Sequence, residues 1–217
     1  MDKLIEGLKR FKRETYPRLK PLYDNLIKTG QKPRALIIGC ADSRVAFETL
    51  TGCGPGELFI VRNAGNIVPR YGTYVGGVTA SIEFAVTQLP IEDVIICGHT
   101  HCGAIAGLLD PDSLRDMPAV RDWLNFSKQA SERVRKADTR TISRHKRAAT
   151  SENVKLQLEN LHSFPCIAER LGAGSIKLHG WVYELETGDV LEYDEKTRTW
   201  NSLTGDEPVK PPPPLPQ

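Results

Sequence analysis

The sequence has no long run of apolar residues, and its charges nearly cancel. Its longest apolar stretches, such as residues 35–38 and 94–97, are far shorter than the ~20 residues that a membrane-spanning helix needs. The charged N-terminus also lacks the apolar core of a secretory signal. With 29 basic and 27 acidic side chains, the formal net charge is only +2. We therefore expect a soluble, cytoplasmic protein that has neither a membrane nor a nucleic acid as its partner.

Cysteine is scarce and odd in number. The 217 residues include five cysteines, and no two of them form a Cys-x-x-Cys pair. This usage disfavours both a disulfide framework and a thioredoxin-like redox centre. It suits a reducing compartment, where cysteines serve as metal ligands, catalytic groups or packing residues. We expect Cys53, Cys97 and Cys166 to be packing residues.

Short apolar segments alternate with a helical pattern in the first half of the chain. Residues 34–39, 57–61 and 93–97 each form a short apolar run, as in strands that are buried on both faces. Residues 79–88 show helical spacing between the second and third runs. This alternation predicts an α/β fold with a central, mostly parallel β-sheet flanked by helices. Later, a turn at 187–189 between two strand patterns predicts a C-terminal hairpin.

The ends of the chain differ in composition from its centre. Residues 1–30 have apolar positions at helical spacing, interrupted by Pro17 and Pro21, so we expect an arm of two amphipathic helices. Residues 31–207 form the predicted domain, and residues 208–217 a proline-rich, extended tail. Within the domain we expect further helices, and their predicted bounds are 103–109, 117–136 and 151–161, the last with Ser151 as its N-cap. The basic segment at 133–147 is predicted to be solvated.

Two motifs with metal-ligand chemistry follow predicted strands. Cys40-Ala-Asp-Ser-Arg44 comes after the first strand, and Gly98-His-Thr-His-Cys-Gly103 after the third. Both loops should emerge at the carboxyl edge of one sheet, where ligands bind in open α/β folds. Two thiolates and an imidazole form the protein ligand set of a catalytic Zn²⁺ site, whose fourth position stays open.

Either His99 or His101 could supply the nitrogen, and the three-residue spacing to Cys102 favours His99. The structural alternative, plain core cysteines and a satisfied histidine, is disfavoured because both motifs lie at strand ends.

The paired motifs resemble those of the β-class carbonic anhydrases, and the similarity extends over about residues 31–193. Segments 55–63 and 179–183 are also similar in order and spacing. The resemblance implies a zinc metalloenzyme that reversibly hydrates carbon dioxide to bicarbonate and a proton, by attack of zinc-bound hydroxide. It makes Cys40, His99 and Cys102 the zinc ligands and Asp42 with Arg44 the catalytic dyad. In some members this aspartate becomes a fourth ligand in a closed state at low pH. The structural alternative for Asp42 is a cap on the helix after the first strand.

The same resemblance implies a substrate pocket and an assembly. The pocket residues would be Gln31, Phe59, Ala64, Phe84 and the backbone N–H of Gly103, some of them contributed across a dimer interface. Plain core positions for the two phenylalanines are the alternative. The basic unit would be a homodimer with exchanged N-terminal helices, with tetramers or larger assemblies left open.

One departure from the family pattern concerns regulation. Ile37 stands where the allosteric members have a tryptophan, which favours the plant-like, non-allosteric type.

Two other functions fit part of the pattern. Relatives with this fold hydrolyse carbonyl sulfide or carbon disulfide, and a chain without turnover could serve as a zinc-holding scaffold. Asp42 and Arg44 argue against the scaffold, because a purely structural zinc ordinarily takes four protein ligands. The proton acceptor is also open, with His101 as a candidate shuttle.

Overall fold

A six-stranded mixed sheet forms the centre of the computed structural model, which describes residues 1–136 and 142–205. The strand order across the sheet is β2-β1-β3-β4-β5-β6. The strands are β1 (Ala35–Cys40), β2 (Leu58–Asn63), β3 (Asp93–His99), β4 (Lys177–Tyr183), β5 (Val190–Asp194) and β6 (Thr199–Ser202). The predicted proline-rich tail and the middle of the basic segment lie outside the described residues.

The first four strands are parallel, in agreement with the predicted, mostly parallel sheet. β1 pairs with both β2 and β3, and β3 also pairs with β4. Gly39 of β1 lies opposite Cys97 of β3, and His99 lies opposite Tyr183 of β4. The antiparallel strands β5 and β6 then extend the sheet, so the predicted hairpin is confirmed. This register places the ends of β1 and β3 side by side.

Nine α-helices are found in the described residues. They are α1 (Asp2–Arg10), α2 (Tyr16–Thr29), α3 (Phe47–Thr51), α4 (Gly77–Gln88), α5 (Gly103–Leu109), α6 (Pro118–Leu124), α7 (Lys128–Lys136), α8 (Ile142–Leu161) and α9 (Pro165–Gly172). Among the described residues, no helix combines the length and the apolarity that crossing a bilayer requires.

The two faces of the sheet are covered unequally. Helices α4, α8 and α9 cover one face and bury its alternate residues in the main core. Gly98 allows the close approach of α8, because a Cβ there would lie 2.8 Å from a methyl carbon of Val154. The opposite face carries the five-residue helix α3, whose Phe47 packs directly on Gly39. Ile60 and Trp181 on that face remain only partly buried.

The N-terminal arm differs from the prediction of two helices interrupted by prolines. Residues 2–29 are helical throughout, and a π-helical turn at Phe11–Thr15 joins α1 to α2. Pro17 lies in the first turn of α2, directly after the π-helical turn, and provides no backbone N–H. Pro21 lies inside α2 and removes a single hydrogen bond. No side chain of the arm is buried.

Three other local predictions were wrong or incomplete. Ser151 is not an N-cap, because α8 begins at Ile142. The helix predicted for 117–136 is divided by a 3-10 turn at Asn125–Ser127. The sequence pattern also missed the short elements α3, α9 and β6, whose lengths of four to eight residues give little periodicity to detect.

Candidate metal centre

Two adjacent strand ends bring Cys40, His99 and Cys102 together. Cys40 is the last residue of β1, His99 the last of β3, and Cys102 immediately precedes α5. Their ligand atoms all lie within 4.8 Å of one another, and the two sulfur atoms are 3.8 Å apart. All three residues are buried. Within residues 1–136 and 142–205, no other histidine, cysteine or carboxylate group of three meets this geometry.

His99 is oriented by its own neighbour. Its Nδ1–H donates to the Thr100 carbonyl oxygen at 2.8 Å, which leaves Nε2 as an acceptor. Nε2 is fully buried and has no hydrogen-bond partner in the described structure. An unpaired buried polar atom ordinarily costs about 1–3 kcal/mol, so a bound metal ion would remove a real penalty. Of the two candidate histidines, His99 therefore fits the ligand role, and the side chain of His101 lies mostly in solvent.

The two thiols are linked by a hydrogen bond between their sulfur atoms. The hydrogen bond from the Cys102 thiol lowers the pKa of Cys40 below its ordinary value. The same hydrogen bond, together with burial, raises the pKa of Cys102 above its ordinary value. Because Zn²⁺ binds thiolates, metal binding would release the protons that these thiols still carry. The donor set of two sulfurs and one nitrogen fits Zn²⁺.

Asp42 lies beside this cluster and is held by Arg44. Arg44 Nε donates to Oδ1 at 2.9 Å and Nη2 donates to Oδ2 at 2.7 Å, a bidentate contact. The Arg44 side chain holds the pKa of the Asp42 carboxyl well below its usual range. Oδ2 also lies 3.8 Å from His99 Nε2. Asp42 does not cap α3, whose N-cap is Ala46, so the capping alternative is wrong.

The backbone between the ligands turns sharply at His101. Its φ of +57° lies in the left-handed region, which costs a non-glycine residue roughly 1–2 kcal/mol. This turn brings Cys102 back towards Cys40. The His101 carbonyl accepts a hydrogen bond from Arg44 Nη2 at 3.0 Å. The ligand loop and the Asp42–Arg44 pair are therefore in direct contact.

A cleft of about 630 Å³ lies along the edge strand β2. Phe59 and Ala64 line it, together with Tyr74 and Trp123. Of the other predicted pocket residues, Gln31, Phe84 and Gly103 are not part of its lining in the described chain. Phe84 is 48% exposed, although its ring centroid lies 6.1 Å from that of Phe59. One chain alone therefore assembles only part of the predicted pocket.

A buried row of amides on α8 supports the loop after β2, and sequence reasoning missed it. Asn153 Nδ2 donates to the Gly65 carbonyl at 2.9 Å. Gln157 Oε1 accepts from the Val68 N–H, and Asn160 Nδ2 donates to the Val68 carbonyl, each at 2.8 Å. The spacing of these three residues places polar side chains on the apolar face of a helix, a signal that could have been found.

The comparisons with known proteins agree with this geometry. The family model described as carbonic anhydrase matches residues 35–190. A carbonic anhydrase from Pseudomonas aeruginosa is 42% identical over 203 residues, which cover 94% of this chain and 92% of that protein. The chain belongs to the β-carbonic anhydrase family. Among solved structures, the β-carbonic anhydrase CcaA superimposes with a TM-score of 0.89 at 40% identity, covering 93% of this chain and 98% of that one.

A more distant β-carbonic anhydrase structure, described as tetrameric and from Sordaria macrospora, superimposes with a TM-score of 0.69 at 27% identity. The match covers 88% of this chain and 92% of that one. The predictions of an α/β fold and of a carbonic anhydrase are thus confirmed. For a β-carbonic anhydrase, hydration of carbon dioxide is the implied reaction.

Proposed function

We propose that this β-carbonic anhydrase binds one Zn²⁺ through Cys40, His99 and Cys102 and interconverts carbon dioxide and bicarbonate at that site. The observation that carries this proposal is the buried, unpartnered Nε2 of His99, which lies among two buried thiols. When bound, zinc would lower the pKa of a water molecule and so supply hydroxide, at mildly alkaline pH because the two thiolates cancel the charge of the metal.

Asp42 and Arg44 orient the attacking water. Arg44 occupies both oxygens of Asp42 and keeps the carboxylate ionised, so Asp42 can only accept hydrogen bonds. Oδ2 lies near His99 Nε2, on the side of the metal ligands. It can therefore accept a hydrogen bond from the water and turn the lone pair of that water towards the carbon. Movement of Asp42 onto the metal as a fourth ligand would require Arg44 to release it.

The substrate side of the site is completed by a second copy of the chain. The apolar surface that contacts carbon dioxide would be formed by Phe59, Ala64 and the exposed Phe84. Oxygen atoms of bicarbonate would be bound by Gln31 and the Gly103 N–H. The arm exposes Leu4, Ile5, Leu8 and Phe11, an apolar surface that suits a partner subunit. We therefore expect a homodimer with exchanged arms. The tetrameric relatives from Sordaria macrospora support a larger assembly of this chain as well.

The chain is proposed to act in the cytoplasm. Its described cysteines are all free thiols, and the proposed site needs two of them reduced.

Stopped-flow measurement of carbon dioxide hydration, paired with metal analysis, tests this function. We expect the wild type to carry one zinc per chain and to be active, and Cys40→Ser to lose both properties. Cys166→Ser, which changes a thiol on α9 away from the cluster, is the matched control and should keep both. Activity in a wild type without zinc, or full activity in Cys40→Ser, would overturn the proposal. Parallel assays with carbon disulfide separate the alternative substrate.

A further inference from the structure

One carboxylate ties the metal-ligand loop to the hairpin of β4 and β5. Glu186 lies in the turn between these strands, and its Oε2 accepts a hydrogen bond from the Thr100 hydroxyl at 2.8 Å. Its Oε1 pairs with Nε2 of His101. Each oxygen thus holds a different residue of the short loop between His99 and Cys102. No other part of the proposed mechanism uses this glutamate.

The contact with Thr100 leads to the metal ligand His99. The Thr100 hydroxyl also accepts a hydrogen bond from the Leu185 N–H at 2.9 Å. The backbone N–H of Thr100 donates to the Tyr183 carbonyl at 3.0 Å. The Thr100 carbonyl in turn accepts a hydrogen bond from the Nδ1–H of His99. The orientation of the imidazole therefore depends on how firmly Thr100 is held against the hairpin.

The contact with His101 leads to the Asp42–Arg44 pair. His101 has a left-handed backbone, and its side chain contacts Glu186 on the solvent side of the loop. Its carbonyl accepts Arg44 Nη2, the same atom that donates to Asp42 Oδ2. A shift of His101 would move this carbonyl and disturb the hydrogen bonds between Arg44 and Asp42.

We propose that Glu186 is a positioning residue, which fixes the metal ligands and the Asp42–Arg44 pair relative to each other through Thr100 and His101. This inference rests on the proposed zinc centre. The Thr100 hydroxyl, with His101, lowers the pKa of Glu186 to about 2, so the carboxylate is ionised and accepts from both. Because its side chain is 55% exposed, Glu186 contributes little to overall stability, and its loss should affect the site first.

Zinc release to an excess of chelator tests the proposal independently of turnover. The variants are Glu186→Ala and Glu186→Gln, with Glu195→Ala as the matched control, an exposed glutamate in the β5–β6 turn. We expect Glu186→Ala to release zinc about tenfold faster than the wild type and to lose kcat at little change in KM, since loss of such outer contacts typically weakens metal sites by about 10–100-fold. Glu186→Gln keeps an acceptor for Thr100, so its zinc release rate and its kcat should lie between those of Glu186→Ala and the wild type.

Substitution of Co²⁺ for zinc gives a second measurement. The visible absorption bands of the cobalt protein report ligand geometry, and we expect them to change in Glu186→Ala and not in Glu195→Ala. If Glu186→Ala matches the wild type in zinc release, spectrum and kcat, the inference about Glu186 is overturned, while the proposed function is not affected. A lower melting temperature with unchanged zinc release and spectrum would also overturn it, because it would show a merely structural role. A wild type that binds neither metal would overturn the proposed function as well.

Discussion

Arg44 binds Asp42 through two nitrogen atoms, one on each carboxylate oxygen, and its Nη2 also reaches the His101 carbonyl. This arrangement fixes the plane of the carboxylate beside the metal ligands. A guanidinium can make all three contacts at once because its donors form a rigid fork. The ammonium group of a lysine cannot match this geometry, although it carries the same charge.

Arg44→Lys should therefore lower kcat while zinc remains bound. We expect a loss of about 10–100-fold, which corresponds to the ~1.5–3 kcal/mol of a hydrogen bond to a charged group. Stopped-flow hydration with metal analysis measures both quantities. Arg133→Lys is the control, because Arg133 makes a similar bidentate contact with Glu159 on the surface. Equal turnover in Arg44→Lys and the wild type would show that the bidentate geometry of the Arg44 guanidinium does not contribute to catalysis.

The low pKa of Glu186 predicts how stability depends on pH. Its folded pKa of about 2 lies below the ordinary 4.5, so its charge stabilises the folded state above pH 4.5 and ceases to do so as the pH falls towards 2. Glu186→Gln, made in a Cys40→Ser background to remove the metal, should be slightly less stable than its parent at pH 7, by a small margin because the side chain is 55% exposed. The difference should close between pH 4.5 and about 2. Urea unfolding at several pH values tests this, and a difference that is constant with pH would contradict it.

The apolar surface of the arm predicts that dimer formation depends on α1. Leu8 is 69% exposed in the single chain, and a charge at that position would be buried without a partner in an exchanged dimer. Leu8→Glu should shift the protein towards monomers at micromolar concentration, as measured by light scattering. Leu203→Glu, at another exposed leucine outside the arm, should not. A monomeric wild type would refute the predicted assembly.

Ile37 predicts simple inhibition by bicarbonate. Its side chain is fully buried against Phe47 and has no hydrogen-bond donor to offer an anion. The neighbouring Arg62 is already engaged, because its guanidinium lies over the Phe47 ring and donates to the Val45 carbonyl. Initial rates at increasing bicarbonate should follow a hyperbolic curve. A sigmoidal curve would instead indicate the allosteric type.

The metal ligands could be predicted from the sequence because each motif follows a strongly apolar strand. Cys40 and His99 terminate β1 and β3, and parallel strands that neighbour each other must bring their carboxyl ends together. Glu186 could not be predicted in the same way. It reaches Thr100 across 86 residues of chain, and its position depends on how the β4–β5 hairpin joins the sheet. Gln31 follows an arm that makes few contacts with its own domain, so its place in a pocket depends on a second subunit.

Zinc K-edge X-ray absorption of the purified protein tests the central claim most directly. For zinc held by Cys40, His99 and Cys102, we predict two sulfur neighbours at about 2.3 Å and nitrogen or oxygen neighbours at about 2.0–2.2 Å. Metal analysis of the same sample should give one zinc per chain. A zinc ion surrounded only by nitrogen and oxygen, or by four sulfur atoms, would contradict the account.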